Sequence, residues 1–237
     1  MVEHNSHDYV IYLCNVFGDD AAFQAAARQW GDEEVQHGQA LARWAALADP
    51  GFDFAASFQR FRDGYSLPLE ASASVRGSRT GELIARCVVE VGTSSFYSAI
   101  RDATEEPALK AIAAKIAGDE FRHYKLFYTH LARYAAREPL PLWRRLKVAL
   151  GRLWEADDDE LAFAYYCAND PPEAYDRKRH SAAYSAAALP LYRFGHVQRG
   201  IGMVLKACGL DPQGRLARLS VRLAWAGLRR RARGATA

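Results

Sequence analysis

Cysteine is scarce in this chain of 237 residues. Cys14, Cys87, Cys167 and Cys208 lie far apart with no C-x-x-C pair. That spacing argues against a thiolate zinc module and an attached rubredoxin-type iron centre, and it fits reduced core thiols. No uninterrupted apolar run is long enough to span a bilayer. The segment Met1-Val2-Glu3-His4-Asn5 has neither a basic nor an apolar region of the kind that opens a signal peptide, so a cytoplasmic protein is expected. A net charge of +3 is too small to imply nucleic acid. Low-complexity sequence is absent too. Half of the residues are hydrophobic and a quarter charged, which suits a packed globular chain.

What is present is a repeated motif. Glu34-Val35-Gln36-His37 and Glu120-Phe121-Arg122-His123 are both Glu-x-x-His. A lone glutamate precedes each: Glu3, 31 residues before Glu34, and Glu90, 30 residues before Glu120. Apolar residues recur every three to four positions around all four. Phe23, Ala27, Trp30, Glu34, His37, Leu41 and Trp44 form one helical stripe, and Leu109, Ala113, Ile116, Glu120, His123 and Phe127 form another. Leu83, Cys87, Glu90, Ser94 and Tyr97 make a third, and Glu3, His7, Val10, Cys14 and Phe17 a fourth. The candidate ligands therefore occupy core faces of four helices.

Turn signals fall midway between the paired glutamates, at Gly18-Asp19-Asp20 and at Thr104-Glu105-Glu106-Pro107. In an antiparallel hairpin, residues equidistant from the tip lie level. At about 1.5 Å per residue, each glutamate sits roughly 20 Å from its turn, so all six side chains fall in one layer. Asp49-Pro50-Gly51 ends the second helix, and residues 52–79 carry the chain back with a short helix near Phe54–Phe61. The expected class is all-α: a ferritin-like four-helix bundle (up-down, crossover, up-down) over residues 1–136, with a helical C-terminal extension over 137–237. Helices are expected near 141–154, 158–168, 172–207 and 213–233. Pro171-Pro172 and Gly209-Leu210-Asp211-Pro212 break them, and Pro190 kinks or divides the third.

Glu-x-x-His puts a carboxylate and an imidazole at i and i+3 on one face. One such pair per ion, with a glutamate from each partner helix, gives mixed oxygen and nitrogen ligation that suits two iron ions, or iron with manganese. The metal ligands are then Glu3, Glu34, His37, Glu90, Glu120 and His123. Without metal, four buried glutamates would pair with Arg86, Arg122 and the two histidines, at a cost of several kcal/mol per unpaired charge, roughly. His7, four residues after Glu3, is an extra ligand, a relay, or a core histidine. Tyr9, Tyr12, Tyr97, Tyr124 and Tyr128 surround the layer, as packing or as proton carriers. His180 and His196 are isolated and take no role.

Asp119-Glu120-Phe121-Arg122-His123 resembles the Asp-Glu-x-Arg-His signature of the ferritin-like di-iron carboxylate superfamily, which includes rubrerythrins, acyl-carrier-protein desaturases and ribonucleotide reductase small subunits. Glu33-Glu34-Val35-Gln36-His37-Gly38 resembles the Glu-Glu-x-Arg-His-Gly segment of the desaturases, with Gln36 in place of arginine. The resemblance covers roughly residues 1–135. It implies that Asp119 and Glu33 accept the free ring N–H of ligand histidines and that Arg122 supports them. Thr93 is similar to the threonine that desaturases place beside the oxygen site, although Thr93 and Ser94 can also bond back to their own helix. The implied activity is a di-iron oxidoreductase that uses dioxygen to oxidise, hydroxylate or desaturate a small-molecule or acyl substrate, fed by an external electron donor. Alternatives are a rubrerythrin- or ferritin-type metal-handling or peroxide-scavenging protein, and a metal-free helical interaction scaffold.

Two residues precede Glu3, so the first helix is expected to be short or frayed there and Glu3 to give the weakest ligation. The last helix carries the charge asymmetry. Arg215, Arg218, Arg222 and Arg229 share one face, Arg230, Arg231 and Arg233 follow, and Leu216, Leu219, Leu223 and Leu228 line another side. Such a helix docks on an acidic partner or an anionic membrane surface, or is a solvated terminus. The extension can equally serve a homodimer.

Overall fold

A computed structural model describes residues 1–156, 160–169 and 173–235, and these form helices and connections with no strand among them. The all-α class follows. The chain divides into two compact units, one of Met1–Arg79 with Ala156–Ser181, the other of Thr80–Glu155 with Ala182–Ala237.

The first unit opens with a 3-10 turn, Glu3–Asn5, that leads into α1 (Ser6–Val16), followed by α2 (Ala21–Ala48) and α3 (Phe54–Gly64). The turn between α1 and α2 lies at Gly18-Asp19-Asp20. There the Asp20 carboxylate caps α2 by accepting from the Phe23 N–H at 3.0 Å, and Gln24 Nε2 donates to the carbonyls of Phe17 and Gly18. Phe23, Ala27, Trp30, Glu34 and His37 are buried along α2, as the stripe predicts. Gly31 and Gly38 join that face. A Cβ on Gly38 would stand 2.9 Å from the backbone of His4, so only glycine lets the N-terminal turn lie this close to α2. α7 (Glu160–Asn169) packs on α3: Phe61, Ala164 and Cys167 form a cluster, and Arg60 donates to the Cys167 carbonyl at 2.8 Å.

The second unit is built on α4 (Arg79–Ala103) and α5 (Pro107–Arg137). Pro107 occupies the first turn of α5, and the Glu106 carboxylate caps it by accepting from the N–H groups of Ala108 and Leu109. The expected stripes are buried: Leu83, Cys87, Glu90, Ser94 and Tyr97 on α4, and Ala113, Ile116, Glu120, His123 and Phe127 on α5. Thr80 Oγ1 donates to the Glu138 carbonyl and ties the start of α4 to the end of α5. α6 (Leu142–Ala156), α9 (Phe194–Ala207) and α10 (Arg215–Ala235) complete the unit, and α8 (Arg177–Ala188) runs from the first unit into the second.

Pro190 divides rather than kinks: it lies in a 3-10 turn, Leu189–Leu191, between α8 and α9. The helix expected from 172 starts at Arg177, because Asp176 caps it through the Arg179 N–H. The Pro171-Pro172 break lies outside the described residues. Gly209, at φ 78°, ends α9 in the left-handed conformation that glycine adopts without strain. The four cysteines are free thiols, three of them buried.

Candidate metal centre

The six candidate ligands fall into two triads, one in each unit. In the first, Glu34 and His37 project from the buried face of α2, one turn apart. His37 Nδ1 stands 3.8 Å from Glu34 Oε2 and 3.8 Å from Glu3 Oε2. One donor atom from each of the three lies within 4.8 Å of the other two.

Glu3 reaches this position from the short 3-10 turn ahead of α1, which is tied down by local contacts. The Asn5 N–H donates to the carbonyls of Met1 and Val2. The His4 ring meets Phe54 and Phe58 edge-on, with centroids at 5.3 and 4.7 Å. Ser6 Oγ donates to the Gly31 carbonyl at 2.8 Å. The Glu3 side chain is consequently only 10% exposed. His7 does not belong to the group: it is exposed. The expectation assumed a continuous α-helix from Glu3, but a 3-10 turn advances three residues per turn, so the i, i+4 alignment is lost.

In the second triad Glu90 comes from the middle of α4, and Glu120 and His123 from α5. His123 Nδ1 stands 3.7 Å from Glu90 Oε2 and 3.8 Å from Glu120 Oε2, and all three side chains are at most 3% exposed. The geometry of the first triad is thus repeated within 0.1 Å. Thr93 has a partner beyond its own helix. Its hydroxyl lies 3.2 Å from the Glu90 carbonyl and 2.6 Å from Glu120 Oε2, to which it donates. Ser94 bonds back to the Val91 carbonyl.

Behind the ligands, Arg122 forms an ion pair with Asp119 one turn away on α5. Glu33 accepts from Gln29 Nε2 at 3.3 Å, and Gln36 is exposed. Cys87 lies one turn before Glu90. Burial, with Glu90 and Cys208 adding, pushes its thiol well above the usual range. Tyr124 is likewise held protonated by burial, and its hydroxyl donates to the Met203 carbonyl. Tyr9 donates to Glu160, and Tyr12 accepts from the Val75 N–H. These three tyrosines fasten helices and loops.

The donor set fits hard or borderline divalent ions. Two atoms each about 2.1 Å from one ion stand about 3 to 4 Å apart, which is the nitrogen–oxygen spacing of both triads, whereas a direct hydrogen bond would close it to about 2.9 Å. Each triad offers one imidazole nitrogen and two carboxylates without sulfur, a set suited to iron or manganese.

Sequence reasoning did not single out Gly31, Gly38, His4 or Ser6 as the parts that seat Glu3. The signal was present in the seven-residue spacing of two glycines on the Glu34 face. No known protein family, curated protein or solved structure matches this chain.

Proposed function

We propose that the two triads are the ligands of two metal ions, irons or iron with manganese, of the ferritin-like kind, in an oxidoreductase that uses dioxygen on an organic substrate. The observation that carries this reading is the duplication. Each unit presents a glutamate, a Glu-x-x-His pair and the same 3.7–3.8 Å spacing from unrelated local sequence.

When bound, iron would supply a redox-active ion with coordination positions open to small oxygen species. The chain's own residues supply the rest. Glu3, Glu34, Glu90 and Glu120 balance the charge of two divalent ions, which favours a site at this depth only when the ions are present. His37 and His123 contribute one nitrogen each. Burial excludes water. Thr93 Oγ1, donating to Glu120 Oε2, fixes the orientation of that carboxylate and holds a proton at the edge of the layer.

Metal content and an absorption spectrum after aerobic iron loading test the reading. The expected result is two irons per chain with charge-transfer absorption in the near ultraviolet. A chain that retains no iron after loading sinks it. A shell-forming oligomer that accumulates iron beyond two per chain would place it with storage proteins.

A further inference from the structure

The proposed centre leaves α10 and α6 without a purpose, and both carry surface chemistry that packing does not explain. At 100° per residue, α10 divides into three bands. Ala217 and Val221 are buried, on the side that holds α10 to α9. Leu216, Leu219 and Leu223, spaced to fall within a sector of about 60°, are 53%, 55% and 65% exposed. Arg215, Arg218, Arg222, Arg229 and Arg233 fill the neighbouring sector. The helix has seven arginines and no acidic residue. Arg215, Arg218 and Arg222 stand beside Leu219 on the same open surface of the helix.

We infer that α10 is a docking helix for an anionic lipid surface, with its leucine band entering the boundary between headgroups and acyl chains and its arginine band meeting lipid phosphates. Charge and apolarity select this occupant together. A second copy of the chain would oppose seven arginines with seven. A polynucleotide would match the arginines and leave three adjacent leucines facing water. A bilayer interface satisfies both bands, since basic residues and leucines or tryptophans on adjoining faces define helices that lie in that plane. α6, in the same unit, has the same character: Trp143, Leu150 and Trp154 are 61%, 50% and 70% exposed on one side, with Lys147 among them and Arg144 over the Trp143 ring at 5.2 Å. Tryptophan is the residue favoured at the membrane–water boundary. None of the described helices is long and apolar enough to cross a membrane, which is consistent with a helix that lies on one.

Co-sedimentation of the full chain with vesicles tests the inference. Binding is expected to vesicles of phosphatidylcholine mixed with phosphatidylglycerol at low ionic strength, to fall as salt is raised, and to be absent with phosphatidylcholine alone. The triple variant Leu216→Ser, Leu219→Ser, Leu223→Ser should lose binding roughly tenfold or more. The double variant Arg218→Ser, Arg222→Ser should also lose roughly tenfold or more. All five positions are exposed, so thermal melts followed by circular dichroism should match the parent. No binding to anionic vesicles at low salt would overturn the inference. Leucine-triple binding equal to the parent's would overturn it too, and would assign the arginines to an acidic protein or a polynucleotide.

Discussion

The His37 Nδ1 stands 3.8 Å from one oxygen each of Glu3 and Glu34, a spacing that donors to one ion can share. Each ligand's worth depends on how firmly its backbone is held. Glu90 sits in mid-helix on α4, while Glu3 hangs on a three-residue turn tied by hydrogen bonds to Met1 and Val2. Glu3→Ala should therefore lower metal stoichiometry less than Glu90→Ala, measured on both variants after identical loading; an equal or larger loss would show the turn to be as firm as the helix. The seat of that turn is Gly38. An added Cβ would meet His4 Cβ at 2.7 Å and His4 Cα and N at 2.9 Å, and backbone cannot step aside as a side-chain end can. Gly38→Ala should destabilise the chain by about 1–2 kcal/mol, overpacking outweighing the gain in helix propensity. Gly92→Ala is the control. Nothing lies within 4 Å of its Cβ, so it should stabilise by roughly 0.5–1 kcal/mol. Chemical denaturation of both variants reads the contrast, and equal effects would refute the account of Gly38.

Between elements, the second unit is fastened by polar ties as well as by apolar stripes. Asp102 at the end of α4 meets His196 Nε2 at 2.9 Å, and Arg193 donates to the Asp102 carbonyl, so the start of α9 is held against the end of α4. The Arg101 guanidinium bonded to Asp102 holds that carboxyl well below its ordinary value; burial works against the shift, and His196 adds to it. A carboxyl depressed in the folded state contributes stability above its unfolded pKa of about 3.9, and that contribution fades as the pH falls toward the folded value. The Asp102 side chain is 27% exposed, so solvent screening keeps the effect modest. Asp102→Asn should lower the melting temperature at pH 7, and the gap to the parent should shrink below about pH 4. Melts across that range check it; a gap that does not change with pH would remove the carboxylate's charge from the explanation.

For the molecule as a whole, what was legible in the sequence was what repeats locally. Glu34, His37, Glu90, Glu120 and His123 could be placed on buried faces because each lies in a helix long enough to show its period. Three residues show none, so the 3-10 turn at Glu3 was hidden and His7 was misplaced by it. The attachment of α7 to α3 was hidden for another reason: Arg60 and Cys167 are 107 residues apart, and a contact at that separation leaves no mark on local pattern. Metal held by each triad is read at the scale of the whole molecule by linkage. A metal that binds only the folded chain raises the melting temperature, by more the tighter it binds. His37→Ala and His123→Ala should each cut the rise that manganese(II) gives the parent, and the double variant should abolish it. Melts of the parent and three variants, with and without manganese(II), check this, and a rise left whole in either single variant would refute that triad as a ligand set.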